Sequence, residues 1–226
     1  MKNAKPIHTM ALLFTGLILF FLLSSLWAFF LYVKSPPKIV SDITPDRYGL
    51  SYEEISFVTK DGLTLRGWFI PARQEQEEPK TIIALHGWPA DKGDILPFVS
   101  FLAQKYNLFL FDFRALGKSE GKYSTIGARE KEDLQASIRY LTSRDIDQVG
   151  VWGFSMGGAV ALMTAPEAPE VKAVVSEASY ASLARMAPET FRFPVLRYPL
   201  GFMTGVWAKI FLGINIGDVS PAKAAK

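Results

Sequence analysis

The sequence predicts an α/β protein. A mostly parallel sheet with helices on both faces follows an N-terminal β-hairpin, and one transmembrane helix precedes both. Three observations predict this. From residue 81 onward, short apolar runs alternate with helical patterns, the mark of a parallel sheet covered on both faces. Two strand-like runs, 55–59 and 63–70, flank Lys60-Asp61-Gly62, and Asp-Gly between such runs is a strong hairpin signal. Residues 10–33 carry no charge over about 24 positions, enough to cross a hydrocarbon core of about 30 Å as a helix.

Taken in order, residues 1–9 form a short tail containing Lys2 and Lys5. The stretch 10–33 is read as an uncleaved anchor. It is too long for the apolar core of a signal peptide, and no small-x-small cleavage site follows it. A cleaved signal peptide and a buried core helix are the alternatives. Lys2, Lys5 and the amino terminus flank one end, and Lys34, Lys38 and Arg47 the other, so the positive-inside count is close to even. The preferred topology is single-pass with the main domain extracytoplasmic, because the reverse requires translocating the charged tail. Pro36, Pro37 and Pro45 mark 34–50 as a linker, and 51–226 as the domain.

Within the domain, 74–80 reads as a charged surface loop. Strands are expected at Thr81–Leu85, 108–111, 148–152 and 171–175, and helices at 93–105, 128–143 and 155–165. Residues 185–216 are rich in Phe, Trp, Met and Leu but broken by Pro188, Pro194 and Pro199. They are too interrupted for a second span. A lid over an apolar pocket and ordinary core helices are equally good readings of them.

Composition narrows the function. The chain has 226 residues and a net charge of +3, enough for one good-sized core. No basic run interleaves with aromatics, so nucleic acid is not an expected partner. Cysteine is absent, which excludes disulfides and thiolate metal sites. No metal or cofactor is expected. His8 and His86 are the only histidines.

The apolar run Val149-Gly150-Val151-Trp152 leads into Gly153-Phe154-Ser155-Met156-Gly157, and small residues at helical spacing follow. This is the G-x-S-x-G nucleophile elbow in its required context of strand, sharp turn and helix. Ser155 must sit on a strained turn for its hydroxyl to project above the sheet. Gly153 and Gly157 stand where a side chain would collide with the turn. Gly158 and Ala159 let the new helix pack closely, and the Met156 amide at the helix start points to where an oxyanion would form.

Leu85-His86-Gly87-Trp88 ends the first parallel strand. With the elbow, it makes the chain resemble the α/β-hydrolase superfamily, specifically the membrane-anchored serine hydrolases with an N-terminal hairpin. The resemblance covers about 52–222. It implies that the His-Gly-x turn supplies a second oxyanion donor, the Trp88 amide, and that His86 is structural. Phe111-Asp112-Phe113-Arg114-Ala115-Leu116-Gly117-Lys118-Ser119-Glu120-Gly121 is similar to the family's Asp-x-Arg-Gly-x-Gly-x-Ser-x-Gly loop, with Ala115 in place of the usual Gly. The implied activity is cleavage of acyl bonds in a small-molecule or lipid substrate: carboxylic ester, thioester, lipid acyl group or peptide.

In the family the order is Ser, then acid, then His, and no histidine follows Ser155. The expectation is therefore a fold incomplete at the C-terminus, with acid and base outside these residues. Glu177 offers an acid in a position used by some lipases, against a surface or hydrogen-bonding role. A non-catalytic, membrane-tethered interaction protein is the alternative function. A third reading takes His86 and Asp91 as the His-x4-Asp pair of a glycerolipid acyltransferase. Gly117-Lys118-Ser119 resembles the end of a phosphate-binding loop, but the first glycine of that motif would fall at Asp112.

Overall fold

The computed structural model describes residues 4–33, 38–74, 78–192 and 194–225. The prolines Pro36 and Pro37 of the expected linker, part of the charged loop at 75–77, and Pro194's neighbour Phe193 lie wholly or partly at this boundary: 34–37, 75–77 and 193 are outside the described residues.

Helix α1 (Ala4–Val33) contains one stretch, His8–Leu31, long and apolar enough to span a membrane. A hairpin follows, β1 (Glu53–Val58) and β2 (Thr64–Ile70), paired antiparallel. Its turn closes through Thr59 N donating to Leu63 O at 2.9 Å, with Gly62 at φ +85°. The Thr59 hydroxyl donates to Asp61 Oδ1. Ile55 and Phe57 alternate inward with exposed neighbours, the half-buried period that fixes register. Gly67 has no room for a side chain: a Cβ there would stand 2.4 Å from Leu110 O on the adjacent strand.

The sheet continues with β3 (Thr81–Leu85), β4 (Asn107–Phe111), β5 (Val149–Phe154) and β6 (Val171–Glu177). Its order is β1-β2-β4-β3-β5-β6, and the pairs β4·β3, β3·β5 and β5·β6 are parallel. One face packs Trp68, Ala84, Leu108 and Leu110 against α2 (Lys92–Val99). The other packs Ile83, Leu85, Phe109 and Phe111 against α3 (Glu130–Thr142) and α4 (Met156–Thr164). The helix expected at 93–105 is shorter: α2 stops at Val99 and its chain tightens into a 3₁₀ turn, Ser100–Gln104.

Strand β6 is an edge of the sheet among the described residues. It pairs only with β5 among the described residues, and Val175 is 55% exposed. An edge strand with one neighbour and one packed helix, α4, leaves most of its side chains in solvent.

The segment read as either lid or core helices forms α5 (Leu183–Glu189), α6 (Arg197–Trp207) and a π turn, Ala208–Leu212, with α7 (Pro221–Ala224) after it. α5 packs on α4 through Leu183, Ala159 and Met163. α6 and the π turn pack on the last turns of α1 through Ala208, Phe29 and Val33.

Candidate active site

The loop after β4 braces the site from below. Asp112, fully buried, accepts from Lys92 Nζ at 2.6 Å, Lys92 N at 2.8 Å and Lys118 N at 2.9 Å. Arg114 reaches the other way. It holds Asp133 at 2.8 and 2.9 Å and Asp61 at 3.0 Å, tying the hairpin turn to α3. Burial works against the Arg114 charge, but these carboxylates hold its pKa above the ordinary value. Ala115 takes φ +63°. The turn thus keeps the left-handed conformation that glycine would adopt freely, and Gly121 must be glycine because a Cβ there would sit 2.7 Å from Ala115 N. Lys118 and Ser119 serve this loop rather than a phosphate: the Ser119 hydroxyl donates to Asp112 O at 2.6 Å and accepts from Arg66 N at 2.9 Å.

Ser155 lies between β5 and α4 at φ +51°, ψ −112°, a region that non-glycine residues occupy only when the surroundings force it. The surroundings are specific. Ser155 N donates to Glu177 O at 2.8 Å, pinning the elbow to β6. A Cβ on Gly153 would lie 2.4 Å from Gly157 C, and one on Gly157 would lie 2.5 Å from Leu85 O. A Cβ on Gly158 would lie 2.6 Å from Ser176 Oγ. Gly87 lets the turn after β3 come close, since a Cβ there would be 3.2 Å from Ser155 Cβ. Trp88 and Met156 follow Gly87 and Ser155 directly in the chain, and the backbone hydrogen bonds of the described turns and loops include neither amide as a donor.

His86 is fully buried and its ring is committed twice. Nε2 accepts from Phe113 N at 3.0 Å, so Nδ1 carries the proton and donates to Gly87 O at 2.7 Å. Burial pushes its pKa below the ordinary histidine value. A neutral imidazole therefore splints the turn carrying Gly87 and Trp88 to the loop after β4. Asp91 is the N-cap of α2, accepting from Gly93 N at 2.8 Å and Asp94 N at 3.2 Å. It also accepts from Ser41 N at 2.8 Å. The acyltransferase reading of His86 with Asp91 gains no support from this geometry: both ring nitrogens of His86 and both carboxylate oxygens of Asp91 are bonded elsewhere. Glu177 serves the elbow through its main-chain carbonyl, while its side chain is exposed.

The burial of His86 has a consequence for pH. Its folded pKa is depressed, so the unfolded chain takes up the proton first as pH falls through about 6.5. The stabilisation is full above that pH and is lost below it, at up to about 1.4 kcal/mol per pH unit. The melting-temperature advantage of the natural protein over His86→Gln is expected to shrink between about pH 7 and about pH 5. An advantage independent of pH would contradict a buried neutral imidazole.

A cavity of about 270 Å³ opens at Ser155, walled by Gly87, Trp88, Pro89, Ile95, Phe98 and Phe154. The rings of Phe98 and Phe154 stack with centroids 6.5 Å apart. Phe98 and Ile95 are not singled out by the sequence. Their signal is weak, since an apolar residue on α2 looks the same whether it faces the core or the site. Among the described residues no cluster of side chains is suited to a metal ion.

Residues 80–208 match the alpha/beta hydrolase fold family, and the chain belongs to it. It is 31% identical to protein bem46 of Schizosaccharomyces pombe over 66% of this chain and 52% of that protein. It is 31% identical to the thiohydrolase aneE of Aspergillus aculeatus over 59% of this chain and 43% of that protein. The esterase Pf2001 of Pyrococcus furiosus superposes with a TM-score of 0.64 at 31% identity, covering 81% of this chain and 71% of that one. The chain spans about half the length of the curated relatives it matches.

Proposed function

We propose that this chain carries the nucleophile and oxyanion donors of a membrane-anchored serine hydrolase that cleaves acyl bonds. The observation that carries the reading is the left-handed elbow at Ser155, held by Glu177 O and by side-chain-free positions at Gly153, Gly157 and Gly87. Ser155 Oγ attacks the acyl carbonyl. The Trp88 and Met156 amides receive the tetrahedral oxyanion, each donor worth about 10²- to 10³-fold. Phe98, Phe154 and Ile95 give the acyl group an apolar wall, which fits an ester, thioester or lipid acyl substrate better than a charged one. Both an esterase and a thiohydrolase among the similar proteins agree with that class. α1 serves as the anchor, residues 51–226 as the hydrolase domain on the extracytoplasmic side, and 185–216 as a cover beside the site.

A serine nucleophile also needs a base oriented by an acid. His86 is spent on the turn, and His8 belongs to α1, so neither histidine of this sequence stands as the base of Ser155. That observation is what favours a second reading, a non-catalytic tethered protein. The two separate in one assay on protein isolated from its own membranes, using short-chain nitrophenyl esters. Ser155→Ala is expected to lower turnover on the order of 10⁶-fold. His86→Ala, acting through one oxyanion donor, is expected to cost about 10²- to 10³-fold. Activity that survives Ser155→Ala but not His86→Ala would support the acyltransferase instead, and no activity in the natural protein would favour the non-catalytic reading.

A further inference from the structure

We propose that α6 and the π turn after it form a second membrane contact, lying in the headgroup layer beside α1 and turning the Ser155 edge of the sheet toward the bilayer. The inference rests on the reading of α1 as membrane-spanning. Its occupant is a lipid surface carrying anionic headgroups.

α6 is built inside out. Its packed side is small: Gly201 is buried, and a Cβ there would stand 2.6 Å from Pro188 Cγ on α5. Gly205, one turn on, would meet Ile216 at 3.1 Å, and Ala208 is buried against α1. The outer side of α6 and the π turn is large and apolar: Phe202 is 71% exposed, Tyr198 60% and, in the π turn, Ile210 62%. A helix facing water carries polar residues outward. Small residues packed inward at spacings of four and three, with large apolar side chains outward, is the pattern of a helix whose solvent is lipid.

The position along α1 sets the depth. Trp207 Nε1 donates to Ser25 Oγ at 3.0 Å, and Phe211 meets Phe29 and Phe30 with ring centroids 6.4 and 5.3 Å apart. Ser25 lies six residues inside Leu31, the end of the apolar span, which is about 9 Å along a helix. An interfacial helix buries its apolar face about 5–10 Å below the boundary, so a membrane that accepts α1 reaches the outer face of α6. Arg192 and Lys209 are exposed on the same segment. Arg197 is half-buried and pairs with Glu189 at 3.4 Å. The balance is basic, and long cationic side chains reach from such a depth to headgroup phosphates.

The same end of α1 meets the edge of the sheet that carries Ser155. Ser124 N, in the loop leaving β4, donates to Val33 O at 3.3 Å, and Lys38 Nζ donates to Ser119 O in that loop. β4, β5 and β6 run parallel to β3 or to one another, so their carboxyl ends share one edge, and α5 and α6 follow β6 there. An acyl substrate held in the bilayer then reaches the cavity without crossing water.

The absence of cysteine allows unique labels. Phe202→Cys, Ile210→Cys, Leu19→Cys and Ser143→Cys place one thiol each at exposed positions of the full chain. Each carries a nitrobenzoxadiazole fluorophore in vesicles of phosphatidylcholine and phosphatidylglycerol. Labels at 202, 210 and 19 are expected to be quenched by lipids bearing an acyl-chain nitroxide and shielded from aqueous iodide, and the label at 143 the reverse. Lipid quenching at 19 with iodide quenching at 202 and 210 would overturn the proposal and leave the anchor standing. Iodide quenching at 19 as well would overturn both. Shielding of 202 and 210 from both quenchers would show a protein cover, such as a second copy, and would also overturn it.

Discussion

Asp112→Ala is expected to remove about 3–5 kcal/mol of stability, the cost of leaving a buried charge without its partner. Lys92 Nζ sits 2.6 Å from the Asp112 carboxylate, and the two side chains are 3% and 0% exposed. The Lys92 ammonium also lies over the Trp68 ring, 4.6 Å from its centroid, so it is held between the carboxylate and the ring. Two backbone amides, Lys92 and Lys118, lose an acceptor at the same time. With a typical net stability of about 5–15 kcal/mol, the loss threatens the fold itself. Denaturant melts in detergent measure it. A loss below about 1 kcal/mol, typical of an exposed ion pair, would contradict the buried brace.

The second large effect is expected at Gly157. Its added methyl in Gly157→Ala would lie 2.5 Å from Leu85 O, 2.7 Å from Leu85 Cβ and 2.8 Å from His86 O. Two of those atoms are backbone at the end of β3, so the elbow must move rather than a side chain. Forcing such a contact costs about 1–3 kcal/mol or more, and the displacement falls on Ser155 and the turn carrying Trp88. Activity is therefore expected to fall further than stability does. Gly150→Ala is the control, since its methyl would meet only Ile82 Cγ1 at 3.7 Å, an ordinary contact. Equal tolerance of the two changes in melts and ester turnover would contradict the close packing inferred at the elbow.

These two positions differ in how readable they are from sequence. Gly157 is legible because a nucleophile elbow has one backbone solution, and the residue pattern states it. The hairpin is legible for the same reason: Asp61-Gly62 specifies the turn, and Ile55 and Phe57 specify the buried face. The Lys92–Asp112 brace is not legible. A lysine one residue inside a helix reads as a solvated start, and only the approach of α2 to the loop after β4 buries it. The role of His86 is half legible. The family resemblance makes it structural, but that its two nitrogens join Gly87 O to Phe113 N depends on a contact 27 residues away. Ala115 shows that a motif can depart in residue type and keep its backbone, since the turn remains left-handed at φ +63°.

The segment 185–216 is ambiguous in sequence for a physical reason. Sequence patterns distinguish helices by an apolar face turned toward a core, and α6 turns its apolar face outward. Its prolines, Pro188 and Pro199, lie in α5 and in the first turn of α6, where they shape short helices rather than abolish them.

The most direct test of the central claim is the site of covalent capture by a fluorophosphonate on protein isolated from its own membranes. The account predicts a single phosphonylated peptide bearing the adduct on Ser155, and no labelling of Ser155→Ala. An adduct on another serine, or labelling that persists in Ser155→Ala, would contradict it.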